Sequence, residues 1–135
     1  MSQAEIKAKL ALEATVSPSE DPAKVLQATK NVVGEAECDI ATDAHAVRLV
    51  TKDTRALVRI RDQLRDRHVR SAARKQMLLK SSGRSTSLML NRQTAAAGVV
   101  ALCGSPEESP LGPIYLRLES DDIDEVIDWL AAYTG

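Results

Sequence analysis

"IKAKLALEATVSPSEDPAKVLQATKNVVG" (residues 6–34) decides the fold class, because it changes period halfway along. Ile6, Ala8, Leu10, Leu12, Ala14 and Val16 point one way and Lys7, Lys9, Ala11, Glu13 and Thr15 the other. Period two over that length predicts a strand with one buried face. After "SPSE", Asp21 is placed to cap a helix, Pro22 to open it and Gly34 to end it. One strand followed by one capped helix sets the grammar for the rest of the chain.

Beyond this stretch the elements continue to mix. "HAVRLVT" (45–51) predicts a strand, with a shorter extended piece near 38–40. Residues 54–80 predict two helices, or one broken near Asp66, since the register Leu57, Ile60, Leu64 stumbles before Val69, Ala72, Ala73 and Gln76. "TSLMLN" (86–91), "VVALC" (99–103) and "IYLRLES" (114–120) read as strands. "RQTAAAG" is a short helix capped by Asn91, and a final helix capped by Asp121 or Asp122 carries Ile123, Val126, Ile127 and Leu130. Strands and helices without strict alternation point to an α+β fold: a single mixed, largely antiparallel sheet with helices packed on one face. At 135 residues, with no linker or internal repeat, residues 1–135 are expected to form one domain.

Composition excludes several classes. No apolar run is long enough to span a membrane, and the opening residues have no signal-peptide pattern, so a cytoplasmic location is expected. Cys38 and Cys103 are far apart and are expected to stay reduced. His45 and His68 have no metal-ligand neighbours, "GSPEESPLGP" (104–113) lacks a nucleophile motif, and "SSGRSTS" (81–87) is not a phosphate loop. No enzyme activity, metal or cofactor is expected. Trp129, Tyr115 and Tyr133 are the whole aromatic complement; Trp129 and Tyr115 sit in apolar elements and read as core.

Charge is the informative feature. The formal net charge is -1, yet Arg48 to Arg92 holds thirteen basic and three acidic residues, a balance of +10 against -11 elsewhere. "RIRDQLRDRHVRSAARK" (59–75) alone carries six arginines and a lysine. On a helical wheel Ala56, Leu57, Ile60 and Leu64 face inward in the first helix; in the second, Arg67, Arg70, Ser71 and Arg74 fall together outside, one ridge at i, i+3, i+7. One reading is a solvated face laced with pairs such as Arg59–Asp62 and Asp66–Arg70, the surplus met by the acidic last helix or by Glu107 and Glu108. The other is a phosphate-binding surface, for which the planar guanidinium is suited. With so few aromatics, base stacking is a poor mode, and structured RNA held by its backbone is the better one.

The blocks "ATVSPSEDPAKVLQATKNV" (14–32), "RDQLRDRHVRSAARK" (61–75), "LNRQTAAAGVVALC" (90–103), "ESPLGPIYLRLES" (108–120) and "IDWLA" (127–131) resemble an uncharacterised archaeal family of predicted RNA-binding proteins. That family is similar to a group proposed as exosome-associated. The resemblance implies a fold similar to the ribosomal protein that binds 5S ribosomal RNA. Where relatives carry a bulky residue and a lysine, this chain has Ala97, Gly98 and Val99, which speaks against RNA contact at that turn. Within the matched blocks the candidate RNA contacts are Arg61, Arg65, Arg67, Arg70, Arg74 and Lys75, with Arg84 and Arg92 at strand ends as secondary candidates. Arg61 borders the buried face, where its stem can pack. Asn91, Gln93 and Ser71 could add hydrogen bonds. The rival function is a protein–protein adaptor or self-associating subunit that uses its segregated basic and acidic surfaces.

Overall fold

The computed structural model describes residues 7–132. Its elements are β1 (Lys9–Thr15), α1 (Pro22–Val33), β2 (Asp39–Thr42), β3 (Ala46–Thr51), α2 (Thr54–Asp66), α3 (Arg70–Lys80), β4 (Ser85–Leu90), α4 (Arg92–Ala96), β5 (Ile114–Glu119) and α5 (Ile123–Leu130). The five strands form one sheet in the order β2-β3-β1-β5-β4, with every neighbouring pair antiparallel. The fold is α+β.

The alternation in β1 does what its period requires. Leu10, Leu12 and Ala14 are buried, and they are joined by Val47 and Leu49, by Ile114, Leu116 and Leu118, and by Leu88 and Leu90 from the other strands. The helices close this face. α1 packs on β1 and β3, α3 on β4, and α2 against α1, α3 and α5. Val25, Ala28, Val32, Leu57, Ile60, Leu64, Ile123, Val126, Ile127 and Leu130 complete one apolar core. The other face of the sheet, carrying Lys9, Glu13, Arg48, Tyr115, Arg117 and Glu119, has no helix on it among the described residues. An antiparallel sheet tolerates one wet face in this way.

Helix ends follow local chemistry. Asp21 caps α1 through the Ala23 N–H at 3.0 Å, Pro22 opens it, and Gly34 ends it at φ 64°. Asn91 caps α4 by accepting from Thr94 at 3.0 Å, and Asp122 caps α5 by accepting from Glu125. The break between α2 and α3 falls just past Asp66. There the Val69 N–H bonds the Leu64 carbonyl at 3.1 Å and the His68 N–H bonds that of Arg65 at 3.1 Å. This is a Schellman closure, and His68 takes the left-handed position at φ 57° that glycine usually fills.

Three expectations are corrected. Residues 99–103 are not a strand; they meet β4 only at the Leu90–Leu102 bridge, flanked by Asn91 and Cys103 N–H bonds to Ala101 and Met89 carbonyls. Because α3 restarts after a left-handed residue, its phase shifts: Ala73 and Met77 are buried and Ala72 is exposed. Tyr115 is not core but stands 45% exposed on the open sheet face. Trp129 packs partly buried against the core, and Tyr133 lies outside the described residues. Both cysteines are free, Cys103 buried; burial, aided by the charge of Glu108, pushes its thiol pKa up.

Candidate nucleic-acid interface

The inward stripe of α2 forces its arginines to the flanks, but they do not form the uniform ridge that the wheel implied. Arg67 caps α2, and Arg70 begins α3 beyond the His68 turn, so Arg67, Arg70 and Arg74 do not lie on one helix. Arg74 is half-buried and turned toward α5, with Nη1 at 2.6 Å from Asp128 Oδ1 and 3.3 Å from the Ala131 carbonyl oxygen. Arg61 lies with its guanidinium carbon 4.8 Å from the centroid of the Trp129 ring, a cation–π contact that fixes the side chain against α5. Arg65 takes both acids of its helix, Asp62 at 3.5 Å and Asp66 at 3.3 Å. The expected Arg59–Asp62 and Asp66–Arg70 pairs are absent from the described residues for that reason.

Arg59 has a different task. Its Nε donates to the Asn31 carbonyl at 2.9 Å and its Nη2 to that of Gly98 at 3.1 Å. It therefore ties α2 to the ends of α1 and α4, satisfying carbonyls that helix termini leave open.

Arg92 is removed from the interface. It is 5% exposed, and its Nη1 reaches both carboxylate oxygens of Glu20 at 2.7 and 2.9 Å and the Thr15 carbonyl at 2.6 Å. Burial pushes the Glu20 carboxyl up, but the Ser17 N–H and the Arg92 guanidinium outweigh it and hold the group below its ordinary pKa. Position at a strand end suggested exposure; instead the β1–α1 connection, through Thr15 and Glu20, closes over the side chain. Arg84 is exposed but lies at the far end of the sheet from the helix corner, paired with Asp121 at 2.5 Å.

What remains are the cations about the α2–α3 junction and the start of α3. Among the described residues, Arg67, Arg70 and Lys75 have no acidic group within 4 Å, and Arg61 and Arg65 flank them. Beside the corner, Ser71, Arg74, Lys75, Leu78, Leu79 and Ala132 line an apolar groove of about 400 Å³. Leu79 is 75% exposed there. The groove was missed in the sequence; the signal was "MLLK" (77–80), where a helix stripe can bury Met77 but not both leucines that follow. Among the described residues no group of three His, Cys, Asp or Glu side chains is placed to hold a metal ion, and no helix is long and apolar enough to cross a membrane.

No family model matches the chain. The UPF0201 protein of Sulfurisphaera tokodaii is 34% identical over 129 residues, covering 94% of this chain and 89% of the relative. The chain belongs to the UPF0201 family. UPF0201 proteins of Sulfolobus acidocaldarius and Saccharolobus solfataricus match at 32% identity over the same share of each chain. Solved structures carry the same architecture. The UPF0201 protein from Methanococcus jannaschii superimposes with a TM-score of 0.77 at 22% identity, covering 94% of this chain and 95% of that one. A DUF54 protein from Methanothermobacter thermautotrophicus gives 0.62 at 18% identity, over 91% and 95%. The archaeal family expected from the ordered blocks is thus established as UPF0201, and the sheet and helix arrangement is shared with these solved structures.

Proposed function

We propose that this UPF0201 protein is a non-catalytic binder of structured RNA that grips the phosphate backbone at the α2–α3 corner. The observation that carries the reading is the group Arg67, Arg70 and Lys75, which lacks acidic partners among the described residues while the neighbouring arginines are all engaged. Unpaired guanidinium and ammonium groups at a helix junction suit phosphate oxygens, and such contacts are sequence-independent and salt-sensitive. Trp129 has a face covered by Arg61, so backbone contact rather than base stacking is the mode.

Equilibrium binding of the full chain to an RNA hairpin and to its single strand, titrated from low to physiological salt, tests it. The control is Arg67→Glu/Arg70→Glu/Lys75→Glu. Hairpin binding that the control abolishes upholds the reading; no binding at low salt ends it.

A second reading rests on the neighbouring groove. Exposed Leu78 and Leu79 inside a basic rim favour an apolar, acidic protein segment as partner. Leu79→Glu separates the two: it weakens a protein complex and leaves hairpin affinity unchanged.

A further inference from the structure

Four cations from three segments of the chain meet at one end of the open sheet face. Lys7 precedes β1, Lys9 opens it, Lys52 follows β3 and Arg84 precedes β4, and with Thr54 and Glu119 they line a cleft of about 580 Å³. Arg84 is neutralised by Asp121 at 2.5 Å. The three lysines have no acidic group within 4 Å among the described residues, although Glu119 lies opposite Lys9 in the strand register; its carboxylate instead faces Arg117 at 3.8 Å.

The register sharpens the point. Leu10 pairs with Thr51, so Lys52, the next residue along, comes level with Lys9 on the adjacent strand. Lys7, two residues ahead of the strand, lines the same cleft. Like charges set opposite each other across antiparallel strands destabilise the pair. A fold that keeps three such ammonium groups around a cavity is poised for an anion that offsets their repulsion.

We propose that this cleft binds a phosphate group. Its volume falls in the range of small-molecule sites, roughly 300–1,000 Å³, and flexible ammonium groups can converge on a tetrahedral anion from several sides. Thr54 opens α2, so the positive end of that helix adds to the field, and the capping carboxylate of Asp53 is committed to Arg55 and the Glu37 N–H. Glu119 is an acceptor for hydroxyls beside the phosphate, which fits a nucleotide, free or within an RNA chain. The cleft and the arginine corner occupy opposite ends of α2, a helix of 13 residues and so about 20 Å long. The site therefore stands apart from the RNA-binding reading.

Calorimetric titration and thermal melting of the full chain with inorganic pyrophosphate, adenosine monophosphate and an RNA hairpin test the proposal. Lys9→Gln/Lys52→Gln is compared with Arg67→Glu/Arg70→Glu. Pyrophosphate is expected to bind one to one and to raise the melting temperature. Its affinity should fall at least tenfold in the lysine variant and stay within twofold in the arginine variant. Without anion the lysine variant should melt at or above the wild-type temperature, which separates lost binding from lost folding. Saturable binding of adenosine monophosphate identifies a free nucleotide as the source of the phosphate. Hairpin binding lost only in the lysine variant identifies the RNA chain. Absence of saturable binding by all three probes, or undiminished binding in the lysine variant, overturns the proposal.

Discussion

Arg59 lies directly over Gly34. A Cβ at position 34 would come within 2.8 Å of Arg59 Cδ, and the backbone there has φ 64°. The glycine that ends α1 thus also makes room for the side chain that joins α1, α2 and α4.

Gly34→Ala therefore meets two penalties, a left-handed backbone and a displaced arginine. The expected loss is about 1–3 kcal/mol for the backbone, plus whatever hydrogen bonding Arg59 gives up as it shifts. Arg59→Ala alone should cost about 2 kcal/mol, the scale of hydrogen bonds made by a charged donor. Urea denaturation of both variants and the double variant checks this, and the two losses should not add.

His68→Gly is expected to stabilise the fold. A non-glycine residue in the left-handed region costs roughly 1–2 kcal/mol, and part of that gain returns through the freer unfolded chain. A rise of a few degrees in melting temperature is the expected result; a fall would show that the imidazole itself holds the α2–α3 turn.

The Glu20–Arg92 pair is almost fully enclosed. Arg92→Met leaves a buried carboxylate without its counter-charge and should cost about 3–5 kcal/mol. Glu20→Gln/Arg92→Met should recover much of that loss, since two neutral side chains no longer demand solvation. Denaturant melts of the single and double variants give the coupling directly.

Acid should unfold the protein through its depressed carboxyls. Glu20 is held below its ordinary pKa by Ser17 and Arg92, and Asp53 is held far below by Arg55 and the N–H groups of Glu37 and Arg55. For a group with a lowered folded pKa, stability is fully present above the unfolded value, about 4, and is lost as pH falls through the folded one. Melting temperature should hold steady from pH 7 to about 5 and then drop, and Glu20→Gln should flatten part of that drop.

The RNA reading makes a quantitative claim about salt. Each phosphate contact removed should lower the slope of log K against log salt by about 0.7–0.9. Arg67→Glu/Arg70→Glu should therefore cut it by close to two contacts, measured by fluorescence anisotropy on a labelled hairpin.

Local pattern made most of the scaffold legible. The period of β1, the Asp21–Pro22–Gly34 frame of α1 and the Asn91 cap are decided by neighbours in sequence, and each appears where it was read. The faults lie where distant parts meet. Nothing near Arg92 reveals that Glu20 would enclose it, and nothing near Arg59 reveals the carbonyls of Asn31 and Gly98. The wheel places Ala72 inside and Arg74 outside because it counts Arg67 into the second helix, whereas Arg67 caps α2 and the left-handed His68 makes α3 start at Arg70. Of the cationic segment, charge density was visible, but which arginines keep their charge unanswered depended on α5 and on the acids within α2. Lys9 and Lys52 were invisible as a pair because only strand register brings them level.

The sheet order has a consequence for how the chain comes into being. β1, the earliest of the described strands along the chain, is the middle strand, and one of its two partners is β5, with Lys9 matched to Glu119. Early during synthesis β1 can meet only β3, and its other edge stays open while some sixty further residues emerge, from the end of β3 to the start of β5. Pairings so remote in sequence fold slowly and leave an aggregation-prone edge in the meantime. The nascent protein therefore depends on β1 remaining shielded until the last strand arrives, and C-terminal truncations before β5 should accumulate as insoluble material rather than as a smaller folded unit.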